Sequence, residues 1–164
     1  MMAAAILSDT VMFKSPTCTD RDRRTAERMA RIANVSLDEL GRQIFSASME
    51  GRSAQELLMS DYKEFHIAGH DLAVSQITCM DSDRLLERKE EFLQAMRDNL
   101  YKGLDIVVLM ITDVLRENSV LLATESRENR DLLYAKIAKQ IYDMPGVMSR
   151  KKQLLPVLLS VTGA

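Results

Sequence analysis

The order of patterns along this 164-residue chain predicts an α/β fold, a mixed β-sheet flanked by helices and preceded by a helical linker segment. Three observations carry that prediction. Capped helical segments fill residues 19–60. Glu64 to Thr78 alternates in the manner of paired strands. Leu104 to Ile111 is a continuous apolar run rich in Ile and Val, as in a strand buried on both faces.

Taken in order, Ala3 to Leu7 is a short apolar segment, helix or strand, that ends at the polar turn Ser8-Asp9-Thr10. Val11-Met12-Phe13 leads into Lys14-Ser15-Pro16-Thr17, a loop, because proline pushes the residue before it toward extended geometry. Thr19 or Asp20 caps a helix over Arg21–Ile32, with Ala26, Met29, Ala30 and Ala33 on one face and Asn34 as its end. Ser36 with Glu39, and Ser53 with Glu56, have capping-box spacing and start two more helices.

Glu64–Ala68 and Leu72–Thr78, with Gly69-His70 between them, read as a hairpin or two adjacent strands. Asp81–Lys102 reads as one amphipathic helix burying Leu85, Leu86, Phe92, Leu93, Met96 and Leu100, with Gly103 as its stop. Ser119–Thr124 reads as a strand, Arg127–Gln140 as a helix and Pro145-Gly146 as a turn. Ser149 stands at an N-cap position ahead of Arg150-Lys151-Lys152-Gln153 and the apolar stretch to Val161.

Composition narrows the function classes. A net charge of −2 gives no global pull toward nucleic acid or anionic membranes, so any anion site is local. The absence of Trp leaves little material for a base-stacking platform. No apolar run reaches membrane-spanning length, and the short apolar start lacks a basic region before it, so the expected location is the cytoplasm. Cys18 and Cys79 belong to no CxxC pair and are expected as reduced thiols.

The side chains with chemical capacity are few. Arg150-Lys151-Lys152 behind an N-cap would join main-chain N–H groups and cationic side chains on one anion, although a short basic run is more often a solvated surface. Asp9 is either a hard-cation ligand or a turn aspartate. Lys63 precedes a strand. His66 and His70 are four apart, but Gly69 between them argues against a helical metal pair. Asp113 and Glu117 follow the buried strand with no nucleophile beside them. No GxSxG or GxxxxGK[ST] motif occurs.

Several stretches, in order and at nearly the spacing of one family, together resemble it over essentially the whole chain. Ala5-Ile6-Leu7-Ser8-Asp9-Thr10 with Phe13-Lys14-Ser15-Pro16-Thr17-Cys18-Thr19 is similar to the inter-domain junction of family II inorganic pyrophosphatases, of the DHH phosphoesterase superfamily. Tyr62-Lys63-Glu64-Phe65, Leu109 to Leu115 and Ser149-Arg150-Lys151-Lys152-Gln153 resemble the start, a central strand and the closing signature of their C-terminal domain.

That resemblance implies a parent enzyme that cleaves pyrophosphate to two phosphates with water activated by Mn²⁺ or Co²⁺ together with Mg²⁺. It implies Asp9 as a metal ligand, and Arg150, Lys151 and Lys63 as substrate phosphate contacts. It divides the chain into residues 1–18, a remnant of the metal-binding domain and junction, residues 19–60, a helical lead-in, and residues 61–164, the α/β substrate-binding domain. The Asp-His-His and His-x-x-x-Asp-x-Asp motifs of the family's metal-binding domain do not occur in this sequence. The expectations are therefore a C-terminal part that binds phosphate groups without turnover or tightly held metal, a truncated or cut chain, a monomer from a homodimeric parent, and no nucleic-acid or membrane partner. Two other readings remain: part of another phosphoesterase of the superfamily, such as an exopolyphosphatase, or a non-catalytic interaction module.

Overall fold

A computed structural model describes residues 2–67, 69–100, 103–125 and 141–162. The helix expected over 127–140 lies outside the described residues.

Four helices open the chain: α1 (Met2–Asp9), α2 (Asp20–Ala33), α3 (Leu37–Ala47) and α4 (Ala54–Ser60). Their starts obey local chemistry. Thr19 and Ser53 form reciprocal capping boxes with Asp22 and Glu56, and those hydrogen bonds hold both carboxyls below the usual carboxylate range. Ser36 caps α3 by accepting from the Glu39 amide, while the Glu39 carboxylate turns to Gln43. Between α1 and α2, Val11, Met12 and Phe13 all have positive φ of 51°, 52° and 67°. This left-handed turn costs on the order of 1–2 kcal/mol per residue for side chains with a Cβ. Thr10 supports it by donating to the Ile6 carbonyl and accepting from the Phe13 amide. Val11 is compensated by burial against Phe45, Val114 and Met148.

The sheet has the order β1-β2-β3-β4-β5, with β1 (Tyr62–Ile67), β2 (His70–Cys79), β3 (Ile106–Asp113), β4 (Asn118–Glu125) and β5 (Ile141–Pro145). Only β2 and β3 run parallel, so the sheet is mixed as expected. All eight residues of β3 are buried, because both faces of the sheet are covered. On one face Leu57, Leu58, Phe92, Leu93 and Met96 pack on Val107, Leu109 and Ile111. On the other, Leu154 and Leu158 pack on Leu72, Val74, Val108 and Met110.

Two expectations need correction. The single helix over 81–102 is two, α5 (Ser82–Leu86) and α6 (Lys89–Leu100), interrupted at Glu87 and Arg88. At this break the Arg88 guanidinium donates across the fold to the Arg52 carbonyl and locally to the Glu91 carboxylate, three residues on. The strand β5, which contains Pro145, was not anticipated. It forms an edge of the sheet, where a proline at the strand's end is tolerated. After β5, a π-helical turn (Arg150–Leu154) runs directly into α7 (Leu155–Thr162). Among the described residues, no helix is long and apolar enough to cross a membrane.

Candidate functional site

The basic signature is built on the π-helical turn. Ser149 has extended backbone and its Oγ accepts from the Lys152 amide, so the expected cap is present. The Ser149 carbonyl accepts from both the Gln153 and the Leu154 amides, which widens the first turn. Gln153 folds back on the approaching loop. Its Oε1 accepts from the Met148 and Ser149 amides at 2.9 and 3.0 Å, and its Nε2 donates to the Gly146 carbonyl at 2.9 Å. The sheet fixes the same loop from below, where Ser119 donates to the Val147 carbonyl and Gln76 to the Met148 carbonyl.

These contacts give the adjacent cations different roles. Lys151 and Lys152 are exposed, and Lys152 Nζ reaches the Pro16 carbonyl at 3.1 Å. Arg150 is buried, with 7 % exposure. Its Nη1 donates to the carbonyls of Asp61 (2.6 Å) and Val74 (3.0 Å), and its Nη2 pairs with Asp61 Oδ1 at 2.8 Å. Of the five N–H donors of a guanidinium, these bonds use three. Nε–H and the second Nη2–H, the side-on fork, take part in none of them.

Lys63 is exposed on β1. Its register partner on β2 is Val74, the residue whose carbonyl holds Arg150. The fold thus brings Arg150 to the register partner of Lys63, although 87 positions separate the two in the chain.

Asp9 stands apart from them, exposed as the last residue of α1. It lines a cleft of about 430 Å³ that also includes Thr17, Arg52, Asp61, Gln76 and Ser149. Asp9 therefore shares a wall with the ion-pair partner of Arg150 and with the residue before it. The carboxylate lies at the negative end of the α1 dipole, a position that favours a cation. A pair of divalent metals needs far more, roughly six ligands each for Mn²⁺ or Mg²⁺. Among the described residues no group of three or more His, Cys, Asp or Glu side chains converges. These described residues alone do not fit such a centre.

The other candidates are accounted for structurally. Asp113 is buried, accepting from the Leu115 and Arg116 amides at Oδ1 and the Ser82 amide at Oδ2. Glu117 pairs with Lys14 at 2.9 Å. His66 and His70 stand on opposite strands of the hairpin, His66 with Asp71 at 2.7 Å and His70 with Asp105 at 3.6 Å. Burial pushes the Cys79 thiol up to about 12, with Asp113 adding to the shift, so it is a poor nucleophile. Sequence reasoning missed Asp61, Gln76 and Gln153 as supports. Asp61 sits two residues before Lys63, but its partner is 89 positions away and leaves no local spacing signal.

The DHHA2 domain family matches residues 43–161. The chain is 40% identical, over 96% of its length, to the Lactobacillus helveticus protein named "Probable manganese-dependent inorganic pyrophosphatase", of which it covers 53%. It is 34% identical over 98% of its length to the cobalt-dependent inorganic pyrophosphatase of Clostridium perfringens, covering 30% of that protein. A crystal structure from Methanococcus jannaschii, assigned to family II inorganic pyrophosphatases, superimposes on 99% of the chain with a TM-score of 0.81 and 31% identity, and the match covers 54% of that chain. The chain spans about half the length of the Lactobacillus helveticus relative. With more than half of its residues matched, mixed sheet and basic closing turn included, the chain belongs to the DHHA2 domain family.

Proposed function

We propose that this chain is the substrate-gripping C-terminal part of an inorganic pyrophosphatase acting in the cytoplasm. In this reading residues 61–164 are the substrate-binding domain, 19–60 a helical lead-in and 1–18 the edge of a metal-binding domain. Lys63, Arg150 and Lys151 hold the phosphate groups of pyrophosphate, and Asp9 contributes one ligand to metals held chiefly by residues outside this sequence. The observation that carries the reading is the unengaged side-on fork of Arg150, next in sequence to exposed Lys151 and held by the register partner of exposed Lys63.

The chemistry follows from charge. A guanidinium fork matches two phosphate oxygens, and each lysine adds a mobile point charge. Together they neutralise charge that grows on a departing phosphate, which is how a phosphoryl-transfer site lowers its barrier. On these residues alone the expectation is binding without hydrolysis.

Calorimetric titration of pyrophosphate into the chain tests this. Lys63→Ala and Lys151→Ala are each expected to weaken binding by about five- to tenfold, roughly 1–1.4 kcal/mol, with the fold intact because both side chains are exposed. Affinity unchanged in both variants would remove the assignment.

A further inference from the structure

The guanidinium of Arg150 is held at one end by a single residue. The Asp61 carbonyl takes Nη1 and its carboxylate takes Nη2, at 2.6 and 2.8 Å. The two contacts together span the terminal edge of the guanidinium. The Val74 carbonyl occupies the remaining Nη1 donor at 3.0 Å. The holder is itself fixed, since the Asp61 carbonyl also accepts from the Gln76 amide at 3.2 Å, at the foot of the β1–β2 pair. The Asp61 carboxylate is 47% exposed, so its attraction for Arg150 is screened by water. The geometry of the chelate is more distinctive than its charge.

From this we infer that Asp61 is a positioning residue for phosphate recognition: it clamps the Nη1–Nη2 edge of Arg150 and presents the Nε–Nη2 edge to phosphate oxygens. The inference rests on the reading of Lys63, Arg150 and Lys151 as a phosphate grip. An arginine that is already fixed loses little rotamer freedom on binding, and its fork meets two oxygens without searching. The same carboxylate repels an incoming anion, so two effects compete. Removing Asp61 weakens phosphate binding if positioning dominates and tightens it if repulsion dominates. The screened, half-exposed carboxylate makes positioning the larger effect.

The test follows the Arg150 Nε–H resonance of the ¹⁵N-labelled chain as inorganic phosphate is added. In the unmodified chain, phosphate is expected to move the Nε–H signal while the Nη1 signals stay in place. Phosphate that instead moves the Nη1 signals has broken the chelate and overturns the inference, without any variant being needed. Asp61→Ala keeps the main-chain carbonyl on Nη1 and removes only the carboxylate on Nη2, so it is expected to weaken phosphate binding about three- to fivefold and to blunt the Nε–H response. Asp61→Asn keeps an oxygen acceptor for Nη2 and is expected to stay within about threefold of the unmodified chain. Binding equal or tighter in Asp61→Ala, with Arg150→Ala weakened, overturns the positioning role but leaves the grip standing. Phosphate binding that is absent, or indifferent to Arg150→Ala and Lys151→Ala alike, overturns the grip itself.

Discussion

Replacing Arg150 by alanine should destabilise the fold, apart from anything it does to ligand binding. The side chain is 7 % exposed and bridges the closing turn to the sheet at two carbonyls and one carboxylate. Loss of the charge-assisted bonds to the carbonyls costs about 1.5–3 kcal/mol. The Asp61 carbonyl keeps the Gln76 amide as a donor, so the larger part of that cost falls at Val74. The Asp61 carboxylate is 47% exposed, and losing its partner adds at most about 1 kcal/mol. The sum is about 2–4 kcal/mol. For a urea m-value of roughly 2 kcal/mol/M, the unfolding midpoint falls by about 1–2 M with m unchanged. Arg150→Lys should recover less than half of this, because an ammonium cannot bridge three acceptors in a plane. Lys151→Ala, one position on and exposed, should stay within about 0.5 kcal/mol. A midpoint for Arg150→Ala within about 0.2 M of the unmodified chain would refute the bridging role of Arg150.

Further outcomes follow from the same structure. At pH 8 a thiol reagent should modify Cys18 quickly and reach Cys79 only after denaturation, because Cys79 is fully buried with its thiol raised to about 12; two fast thiols per chain would contradict that burial. Hydrogen bonding from Arg116, followed by its charge, holds the Asp83 carboxyl below its ordinary 3.8. Its contribution to stability is therefore present above that pH and disappears as pH falls through the lower folded value. Thermal unfolding of Asp83→Asn should lie below that of the unmodified chain at neutral pH and converge with it in strong acid, and a gap that persists in acid would exclude the ion pair as its source. Gln153→Ala frees two amides and a carbonyl, so hydrogen exchange at Met148 and Ser149 should accelerate by tenfold or more, for a cost of about 1–2 kcal/mol. Unchanged protection would mean that the sheet alone holds the loop.

What the sequence determined by itself was whatever depends on near neighbours or on burial at a fixed period. The capping box at Ser53 was legible because donor and acceptor are three residues apart, whereas the same spacing at Ser36 makes only half a box, the Glu39 carboxylate turning to Gln43. The central strand β3 was legible because burial on both faces demands unbroken apolar residues, and the turn at Ser149 because a cap needs only its own turn. The tertiary structure decided what depends on distant partners. The break at Glu87 and Arg88, where the Arg88 guanidinium reaches the Arg52 carbonyl 36 positions earlier, interrupts a helical period that runs on in the sequence. Nor could periodicity show that β5 pairs with β4, since a five-residue edge strand ending in proline has too little pattern of its own. The division of labour within Arg150-Lys151-Lys152 is the sharpest case. Three adjacent cations read alike, yet one is buried and chelated while its neighbours are exposed. The reason is that a charge can be buried only where acceptors converge on it, and the acceptors of Arg150 lie on β2 and on the residue that precedes β1.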